Sequence, residues 1–514
     1  MNKRLYFNVL ALVACLLCSI SAVAAEAYAC YTSSNTTLTF YYDNLRSSRT
    51  GTTYDLNTGS NNPGWYNDGS NSSVTRVVFN SSFASARPTS THNWFMSMQY
   101  LQSFTGMQYL NTSQVTDMSC MFFDCSNLTR LDLSHFNTRN VTDMNSMFYN
   151  CTGLTSLDLS HFNTDKVVNI SNMFGGCKGL TSLDVSSFNT ANVKYMAVTF
   201  EGCSSLTSLD VSHFNTANVQ YMSGLFWGCS SLTNIDVSHF NTANVEYMSS
   251  VFLNCGALTN LDVSHFNTAK VTDMSSMFSD CSNLTSLDVS HFNTADVANM
   301  RNMFSGCSAL TSLDVSNFNT ANVTDMAGMF SDCIALKSLN VSSFNTANVT
   351  NMSNLFDGCK SLTSLDLSSF NTADVNYMMW MFWNCPYLKT IYVGDAWSTA
   401  AVTSSNNMFY GCTSLVGGKG TTYDANHVDA AYAHIDGGPS NPGYFSEKPA
   451  YSRGDVNGDG SVNISDVTTL IDYLLSGNAS GVNLSAADCD QDGSVNISDV
   501  TTLIDYLLCG SWPN

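Results

Sequence analysis

The chain has 514 residues, of which 11% are charged, and its 40 acidic residues outnumber its 19 basic ones. This length exceeds that of one ordinary domain. The net charge of −21 argues against a nucleic-acid partner and against an anionic membrane partner, and it suits a protein that binds cations.

The N-terminus has the pattern of a secretory signal peptide over residues 1–24. Lys3 and Arg4 precede an apolar run, and small residues end at Ala24, as in export signals. The residues up to Cys15 also resemble a lipoprotein cleavage box, so lipidation there is the alternative. No other stretch reaches the ~18 to 20 apolar residues of a membrane span. The sequence therefore predicts an exported protein, secreted or held at the cell surface, without a membrane span.

Residues 25–90 are predicted to form an N-terminal cap that includes an early degenerate repeat. The segment TLTFYYD alternates in the manner of a strand, and Val77 and Phe79 belong to a further short strand. Terminal units that depart from a repeat pattern are expected to cap the ends of a stack.

A register of 26 residues dominates the middle of the chain. The typical unit, at residues 284–309, is LTSLDVSHFNTADVANMRNMFSGCSA. Units that recur without insertions must stack in a line. The solenoid and its C-terminal cap are predicted over residues 91–445. The cysteines that mark the register are Cys125, Cys151, Cys177, Cys203, Cys229, Cys255, Cys281, Cys307, Cys333, Cys359 and Cys385, with Cys412 after a step of 27.

Each unit predicts a strand, a turn and a short helix. LTSLDV places Leu284, Leu287 and Val289 on a buried face and Asp288 outside. The Phe of FNT fills the core at the bend, and its Asn hydrogen-bonds backbone groups that the turn leaves unpaired. V-x-x-M-x-x-M-F-x-x-C has apolar residues at helical spacing. The predicted fold class is an α/β solenoid, with parallel strands on one face and short helices on the other.

One strand, one turn and one helix in 20 to 29 residues is the pattern of a leucine-rich repeat. These units resemble the BspA-like class of bacterial surface leucine-rich repeats, which share the pattern MFxxCxxLTSLDLSxFNTxxVTDM. The resemblance spans roughly residues 91–415. It implies adhesion, because members of this class are adhesins for host matrix proteins or for other cells.

Stacking turns the aspartate of each unit into an acidic ladder. Carboxylates at a step of ~4.8 Å repel one another by about 1 kcal/mol in a water-like dielectric. The ladder is either a surface that attracts cations or a basic partner, or a solvated row screened by the flanking serines. Its members are Asp132, Asp158, Asp184, Asp210, Asp236, Asp262, Asp288, Asp314 and Asp366.

The histidines and cysteines of the units form further ladders, for which the sequence favours structural roles. His213, His239 and His265 would lie side by side and so would not converge on one metal ion. Stacked cysteines would hold Cβ atoms ~4.8 Å apart, farther than the ~3.8 Å of a disulfide. Buried free thiols that act as small hydrophobes are therefore predicted.

No enzyme signature emerges from the sequence. The motifs G-x-S-x-G and H-E-x-x-H are missing from it. Equivalent aspartates in a ladder make no pair with different environments, which acid–base catalysis needs. The chain is predicted not to be an enzyme.

A different repeat follows a linker at residues 446–452. GSVNISDVTTLIDYLL occurs at 460–475 and again at 493–508. Each copy completes a loop, DVNGDGSVNISD or DCDQDGSVNISD, with oxygen ligands at alternate positions and glycine at position 6, as in EF-hand calcium loops. Two Ca²⁺ ions are predicted. The predicted ligands are Asp455, Asn457, Asp459, Ser461, Asn463 and Asp466, then Asp488, Asp490, Asp492, Ser494, Asn496 and Asp499.

Two features separate these loops from an ordinary EF-hand pair: position 12 is Asp rather than Glu, and no entering helix of normal length precedes either loop. Residues 453–514 resemble a type I dockerin, a small all-α domain with a duplicated loop–helix motif. The resemblance implies folding with calcium and docking onto a cohesin domain of another protein. It places cohesin contacts at Ile464, Ser465, Ile497 and Ser498. A bridge between Cys489 and Cys509, which lack counterparts in the first copy, stays open.

These observations predict an exported, non-catalytic adhesion or recognition protein. Its solenoid would bind a host matrix protein, another cell surface or a glycan, and its dockerin would dock to a cohesin. The alternative is a carbohydrate-binding or structural subunit of a polysaccharide-degrading complex.

Overall fold

The computed structural model describes residues 24–448 and 451–512. Two compact units divide the chain, one ending at Ser446 and the other beginning at Glu447. Residues 1–23 of the predicted signal peptide, including Cys15, lie outside the described residues. Across the described ranges, no helix is both long enough and apolar enough to cross a membrane.

A five-stranded sheet begins the first unit. Its elements are β1 Glu26–Thr32, β2 Thr37–Asp43, β3 Thr52–Asp55, the short helix α1 Gly64–Asn67, β4 Arg76–Phe79 and β5 Ser103–Thr105. The strand order is β3-β1-β2-β4-β5, with β1 antiparallel to β2 and β3, whereas β2–β4 and β4–β5 are parallel. The sheet thus changes from antiparallel to parallel where the repeats start, and the predicted strand TLTFYYD is β2.

Aromatic side chains close the N-terminal end of the stack. The Phe40 ring lies 4.7 Å from that of Phe79 and 4.9 Å from that of Trp94. The Trp65 Nε1–H donates to the Trp94 carbonyl at 2.7 Å. These rings are buried, so they cover apolar repeat surface that would otherwise face water.

The segment predicted to be a short helix is instead where successive units pair. The parallel β-bridge between Asp273 and Asn299 belongs to a series of such bridges, each joining one unit to the next. Every second backbone amide donates to a carbonyl of the next unit at 2.7–3.1 Å; in this unit the donors are Met274, Ser276, Phe278 and Asp280. Amides between them donate to the carbonyl three residues earlier at 3.2 Å; the donors are Met277, Ser279 and Cys281. The prediction of a helix in each unit is therefore wrong.

Backbone conformation explains the absence of a helix from this segment. Ser276 and Asp280 have φ values of 54° and 58°, which a right-handed helix does not contain. An α-helix would also use its amides internally, leaving none to join the units. Among the described residues, no α-helix lies between Asn67 and Ile464.

The LTSLDV segments keep the predicted pattern of burial but seldom form hydrogen-bonded strands. Leu284, Leu287 and Val289 are buried and Asp288 is exposed. Within the described chain no strand lies between β5 and Ser364. Strands β6 (Ser364–Leu367) and β7 (Thr390–Val393) pair in parallel, and β8 (Ser446–Glu447) completes a three-stranded sheet. The parallel ladder thus runs mainly along the other segment of each unit.

Side chains add further contacts between one unit and the next. Phe278 stacks on Phe304 with ring centroids 5.8 Å apart and planes 6° from parallel. Thr268 Oγ1 donates to the Asn293 carbonyl at 2.9 Å and accepts from the Asn293 amide at 2.8 Å. The Cys281 thiol donates to the carbonyl of Phe252 at 3.2 Å. At the C-terminal end, buried Tyr444 and Phe445 pack edge-on against Phe409.

The second unit has two long helices and a short one, α2 Ile464–Ser476, α3 Leu484–Ala487 and α4 Ile497–Cys509. Its core joins the two copies, because Val467 and Leu470 of α2 are buried with Val500 and Leu503 of α4. A core this small makes an added metal a substantial source of folding free energy.

Candidate functional site

Two equivalent loops precede α2 and α4, and each is fixed by a capping box. In the first, the Asn463 side chain accepts from the Ser465 amide at 2.8 Å, and Asp466 Oδ2 accepts from the Asn463 amide at 2.9 Å. Asp466 Oδ1 also accepts from the Asn457 amide at 3.1 Å. The second loop repeats these bonds. The helix starts therefore hold the last residue of each loop over the first few.

In the first carboxylate of each loop, one oxygen accepts a hydrogen bond from the loop backbone and the other has no hydrogen-bond partner. Asp455 Oδ2 accepts from the Gly460 amide at 3.1 Å, and Asp488 Oδ2 accepts from the Gly493 amide at the same distance. Both glycines have positive φ, 86° and 88°, which supplies the sharp turn at position 6. Asp455 Oδ1 and Asp488 Oδ1 are buried and lack a hydrogen-bond partner.

These unpartnered oxygens show that the loops fit a hard cation. A buried carboxylate oxygen without a partner is costly, and Ca²⁺ takes oxygen ligands of this kind. In the second loop, Asp488, Asp490 and Asp492 offer carboxylate oxygens that all lie within 4.8 Å of one another. The first loop has Asn457 where the second has Asp490. Asp455, Asp459 and Asp466 would hold an ion in one loop; Asp488, Asp490, Asp492 and Asp499 would hold it in the other.

The remaining predicted ligands have mixed placements. Ser461 and Ser494 are exposed at position 7, where the backbone carbonyl is the ligand in EF-hand loops. Asn463 and Asn496 use their side chains as helix N-caps. The structure therefore gives the two asparagine side chains a capping role in the fold.

The predicted cohesin contacts divide into two kinds. Ile464 and Ile497 are 68% and 69% exposed, which is unusual for isoleucine. Ser465 Oγ instead accepts from Asn457 Nδ2 at 2.9 Å, and Ser498 donates to the Asp490 carboxylate. The isoleucines are free for a partner, while the serines are tied to the calcium loops.

A contact between the two ends of this unit, which joins Arg453 to Trp512 and is called the clasp below, was not predicted. Trp512 stacks on Tyr506 at 4.1 Å, and the Arg453 guanidinium lies 4.3 Å from the Trp512 ring. Arg453 Nε also donates to the Cys489 carbonyl at 2.7 Å. Cys489 is buried, Cys509 is exposed, and both are free thiols. The bridge that the sequence left open is therefore not formed.

The acidic ladder of the solenoid is exposed except at the half-buried Asp366, and each aspartate closes its own turn. Asp236 Oδ1 accepts from the Ser238 amide at 3.0 Å and from Ser238 Oγ at 2.7 Å. Such bonds from the serine two residues later lower the pKa of the carboxyls, so the row stays charged. The lowered members are Asp132, Asp158, Asp184, Asp210, Asp236, Asp262, Asp288 and Asp314. Asp366 likewise accepts from the Ser368 amide.

The histidine and cysteine ladders have structural contacts. His213 and His239 Nε2 lie 2.7 and 2.8 Å from carbonyls of the preceding unit. The cysteines of the register are buried and unbridged, as predicted. Burial raises the pKa of the Cys255 thiol to about 12. Each of these thiols also donates a hydrogen bond to a phenylalanine carbonyl. These bonds were not predicted from the sequence, because cysteine was considered there only as a small hydrophobic residue.

The geometry defines a repeat solenoid joined to a paired calcium-loop module. The family described as Mycoplasma protein of unknown function, DUF285, matches at residues 82–182, 154–259, 230–335 and 306–423. These matches cover more than half of the chain, which therefore belongs to the DUF285 family, the BspA-like class predicted from the repeats. The dockerin type I domain matches at residues 453–508, so the C-terminal unit is a type I dockerin domain.

No curated protein matches the chain. A leucine rich cell surface protein from Faecalibacterium prausnitzii is 17% identical, with 72% of this chain and 93% of that one covered and a TM-score of 0.36. A leucine-rich repeat protein from Eubacterium ventriosum is 17% identical over 65% and 93%, with a TM-score of 0.28. The functional domain of InlJ from Listeria monocytogenes, which includes a cysteine ladder, is 18% identical over 64% and 66%, with a TM-score of 0.30.

Proposed function

We propose that this chain is an exported, non-catalytic recognition protein, which its dockerin domain attaches to a cohesin on a scaffold or a cell surface. The observation that carries the proposal is the pair of calcium-type loops, each running into a helix that starts with an exposed isoleucine. Type I dockerin domains bind calcium. Calcium would order the loops and so hold Ile464 and Ile497 in place for the partner.

The solenoid is the recognition element of this proposal. The BspA-like class supports adhesion to a host protein or another cell surface, and the charged aspartate ladder offers a surface for a basic partner. A carbohydrate-binding or structural role in a polysaccharide-degrading complex is the second candidate, which the exposed aromatic side chains of Tyr377 and Trp380 on the solenoid favour.

Docking is tested by passing the full chain over a panel of immobilised type I cohesin domains. The chain should be retained in millimolar Ca²⁺ and released by a chelator. A variant with Asp455→Ala and Asp488→Ala, which removes both unpartnered carboxylates, should not be retained. The matched control is Asp296→Ala with Asp374→Ala, since these exposed aspartates lie on the solenoid and not in the dockerin domain. Retention that survives the chelator, or no retention by any cohesin, would contradict the proposal.

A further inference from the structure

A cleft of about 410 Å³ opens on the solenoid along the segment that pairs successive units. Its lining comes from four consecutive units and includes Arg301, Asn302, Asn351, Ser353, Tyr377 and Trp380. Three steps of ~4.8 Å give the lining a length of about 14 Å along the stack. A volume of this size is within the range of small-molecule sites, and the length suits a chain of rings rather than one ring.

Two aromatic side chains line one end of the cleft. Tyr377 is 46% exposed and Trp380 is 38% exposed. Tyr195, Tyr221 and Tyr247 are also exposed but stack on one another with centroids 5.1 Å apart, which covers both faces of Tyr221 and one face each of Tyr195 and Tyr247. In the described part of the chain, neither Tyr377 nor Trp380 stacks on another ring. Their faces are therefore available to a ligand.

The depth of the cleft depends on a glycine in its floor. A Cβ at Gly328 would meet Asn302 Oδ1 at 2.1 Å, so a larger residue there would push the Asn302 side chain aside. Trp380 holds the same position in its unit as Gly328, and its φ of 55° is the left-handed value found there in other units as well, such as at Asn302 and Asn354. The bulk of Trp380, rather than its backbone conformation, is what distinguishes this end of the cleft.

Polar side chains supply the rest of the lining. Asn302 offers a side-chain amide with donors and an acceptor. Asn351 offers its amide donors, while its Oδ1 accepts from the Ser353 amide at 3.1 Å and keeps one lone pair. Ser353 is 7% exposed, and its hydroxyl has no hydrogen-bond partner in the protein. Arg301 lies 3.7 Å from Asp325, so its charge is balanced. The lining as a whole therefore offers hydrogen bonds and suits a ligand that carries no net charge.

The floor of the cleft does not suit an extended peptide. The amides of Asn302, Gly328 and Asn354 each donate to the next unit at 2.8 Å. A peptide that adds to a sheet edge needs free backbone groups, and here those amides are already used. Side chains must therefore provide recognition.

We propose that this cleft binds a neutral oligosaccharide. The C–H face of a sugar ring is complementary to the negative face of an aromatic ring, as offered by Tyr377 and Trp380. Sugar hydroxyls both donate and accept, which matches the amides of Asn302 and Asn351. The inference rests on the proposed recognition role of the solenoid, and it names the class of ligand and the residues that bind it.

Isothermal titration of the full chain tests the proposal with cellohexaose, xylohexaose and mannohexaose, and with hexagalacturonate as the anionic counterpart. At least one neutral hexasaccharide should bind, with equal affinity in Ca²⁺ and in chelator, because the calcium loops are not part of the cleft. Trp380→Gly and Tyr377→Ala should each weaken binding by about tenfold. Glycine is compatible with folding here, since Gly328 holds the same position in the unit.

Trp227→Ala is the matched control, because Trp227 is 41% exposed and does not line the cleft. It should leave the affinity unchanged. Binding of no neutral hexasaccharide, binding of hexagalacturonate alone, or binding that Trp380→Gly leaves intact would overturn the proposal. So would Trp380-dependent binding of fibronectin without any glycan binding. Calcium-dependent retention on cohesin, measured on the same samples, separates failure of this inference from failure of the proposed docking.

Discussion

At the scale of single residues, the threonine of FNT joins the units, whereas the asparagine side chain closes its own turn and reaches a neighbouring unit at Asn189. Asn267 Oδ1 accepts from the Ala269 amide at 3.1 Å, a bond within its own turn. Thr268 Oγ1 both donates to and accepts from Asn293 of the next unit. A hydroxyl can do both at one point because it is a donor and an acceptor.

Replacing Thr268 with valine should therefore destabilise the solenoid. The side chain is 1% exposed, and valine would leave the Asn293 amide and carbonyl without their partner. We expect a loss of about 1–3 kcal/mol in the free energy of unfolding, measured as a lower urea midpoint and faster hydrogen exchange in neighbouring units. Thr285→Val, on an exposed residue of the same repeat, is the control. Equal effects of the two changes would contradict the prediction.

The buried thiols should make the solenoid sensitive to alkali. Burial raises the pKa of Cys255 from 9.0 to about 12, so between these values the unfolded chain loses a proton that the folded chain keeps. The free energy of unfolding then falls by about 1.4 kcal/mol per pH unit for this thiol. The destabilisation caused by Cys255→Ala should shrink by that amount per unit above pH 9 in urea titrations. Cys509→Ala, on an exposed thiol, should show no such trend.

At the scale of elements, apolar spacing predicts which side chains are buried but not where the amides bond. Met274, Met277 and Phe278 are buried as the helical pattern indicates. Two successive turns produce the same spacing as a helix, and alternate amides then remain for the next unit. The signal for turns was present in the recurrence of Ser, Asn, Asp and Gly at the positions of Ser276 and Asp280, residues that tolerate positive φ.

The two calcium loops should differ in affinity. The second loop has a carboxylate at Asp490 where the first has the neutral Asn457, and affinity in such loops rises with ligand charge. Isothermal titration should show two classes of Ca²⁺ site, the tighter one in the second loop. Asp490→Asn should bring the two classes together by weakening that site, and Asn457→Asp should do so by strengthening the other. Two indistinguishable sites in the unaltered chain would contradict this.

At the scale of the whole molecule, the near-identical copies predict a dockerin that binds in two orientations. Ile464 and Ile497 have equal exposure at equivalent places. Ile464→Asp or Ile497→Asp alone should reduce cohesin affinity by only about twofold, since one of two orientations remains. The double variant should abolish binding. Surface plasmon resonance on an immobilised cohesin measures all three, and a large loss from either single change would show that one face dominates.

What the sequence predicted and what it missed differ in their physical origin. The repeat units and the calcium loops each show a local sequence pattern. The buried faces of the units and the candidate ligands of the loops could therefore be predicted. The clasp joins Arg453 to Trp512 across the length of the domain, and the cleft arises from positions that vary between units, such as Gly328 and Trp380. The clasp occurs once, and the residue types that shape the cleft change from unit to unit, so no repeating pattern in the chain pointed to either feature.

The alternate-amide pairing between units has a consequence for how such a protein changes length. Every unit presents the same hydrogen-bonding pattern above and below, and the two ends are closed by separate aromatic caps. A gene that gains or loses one whole unit of 26 residues would therefore encode a chain in which every unit still finds its hydrogen-bonding partners in both neighbouring units. The cleft needs four particular neighbours in order, so copying units outside residues 301–380 would lengthen the solenoid without altering that surface.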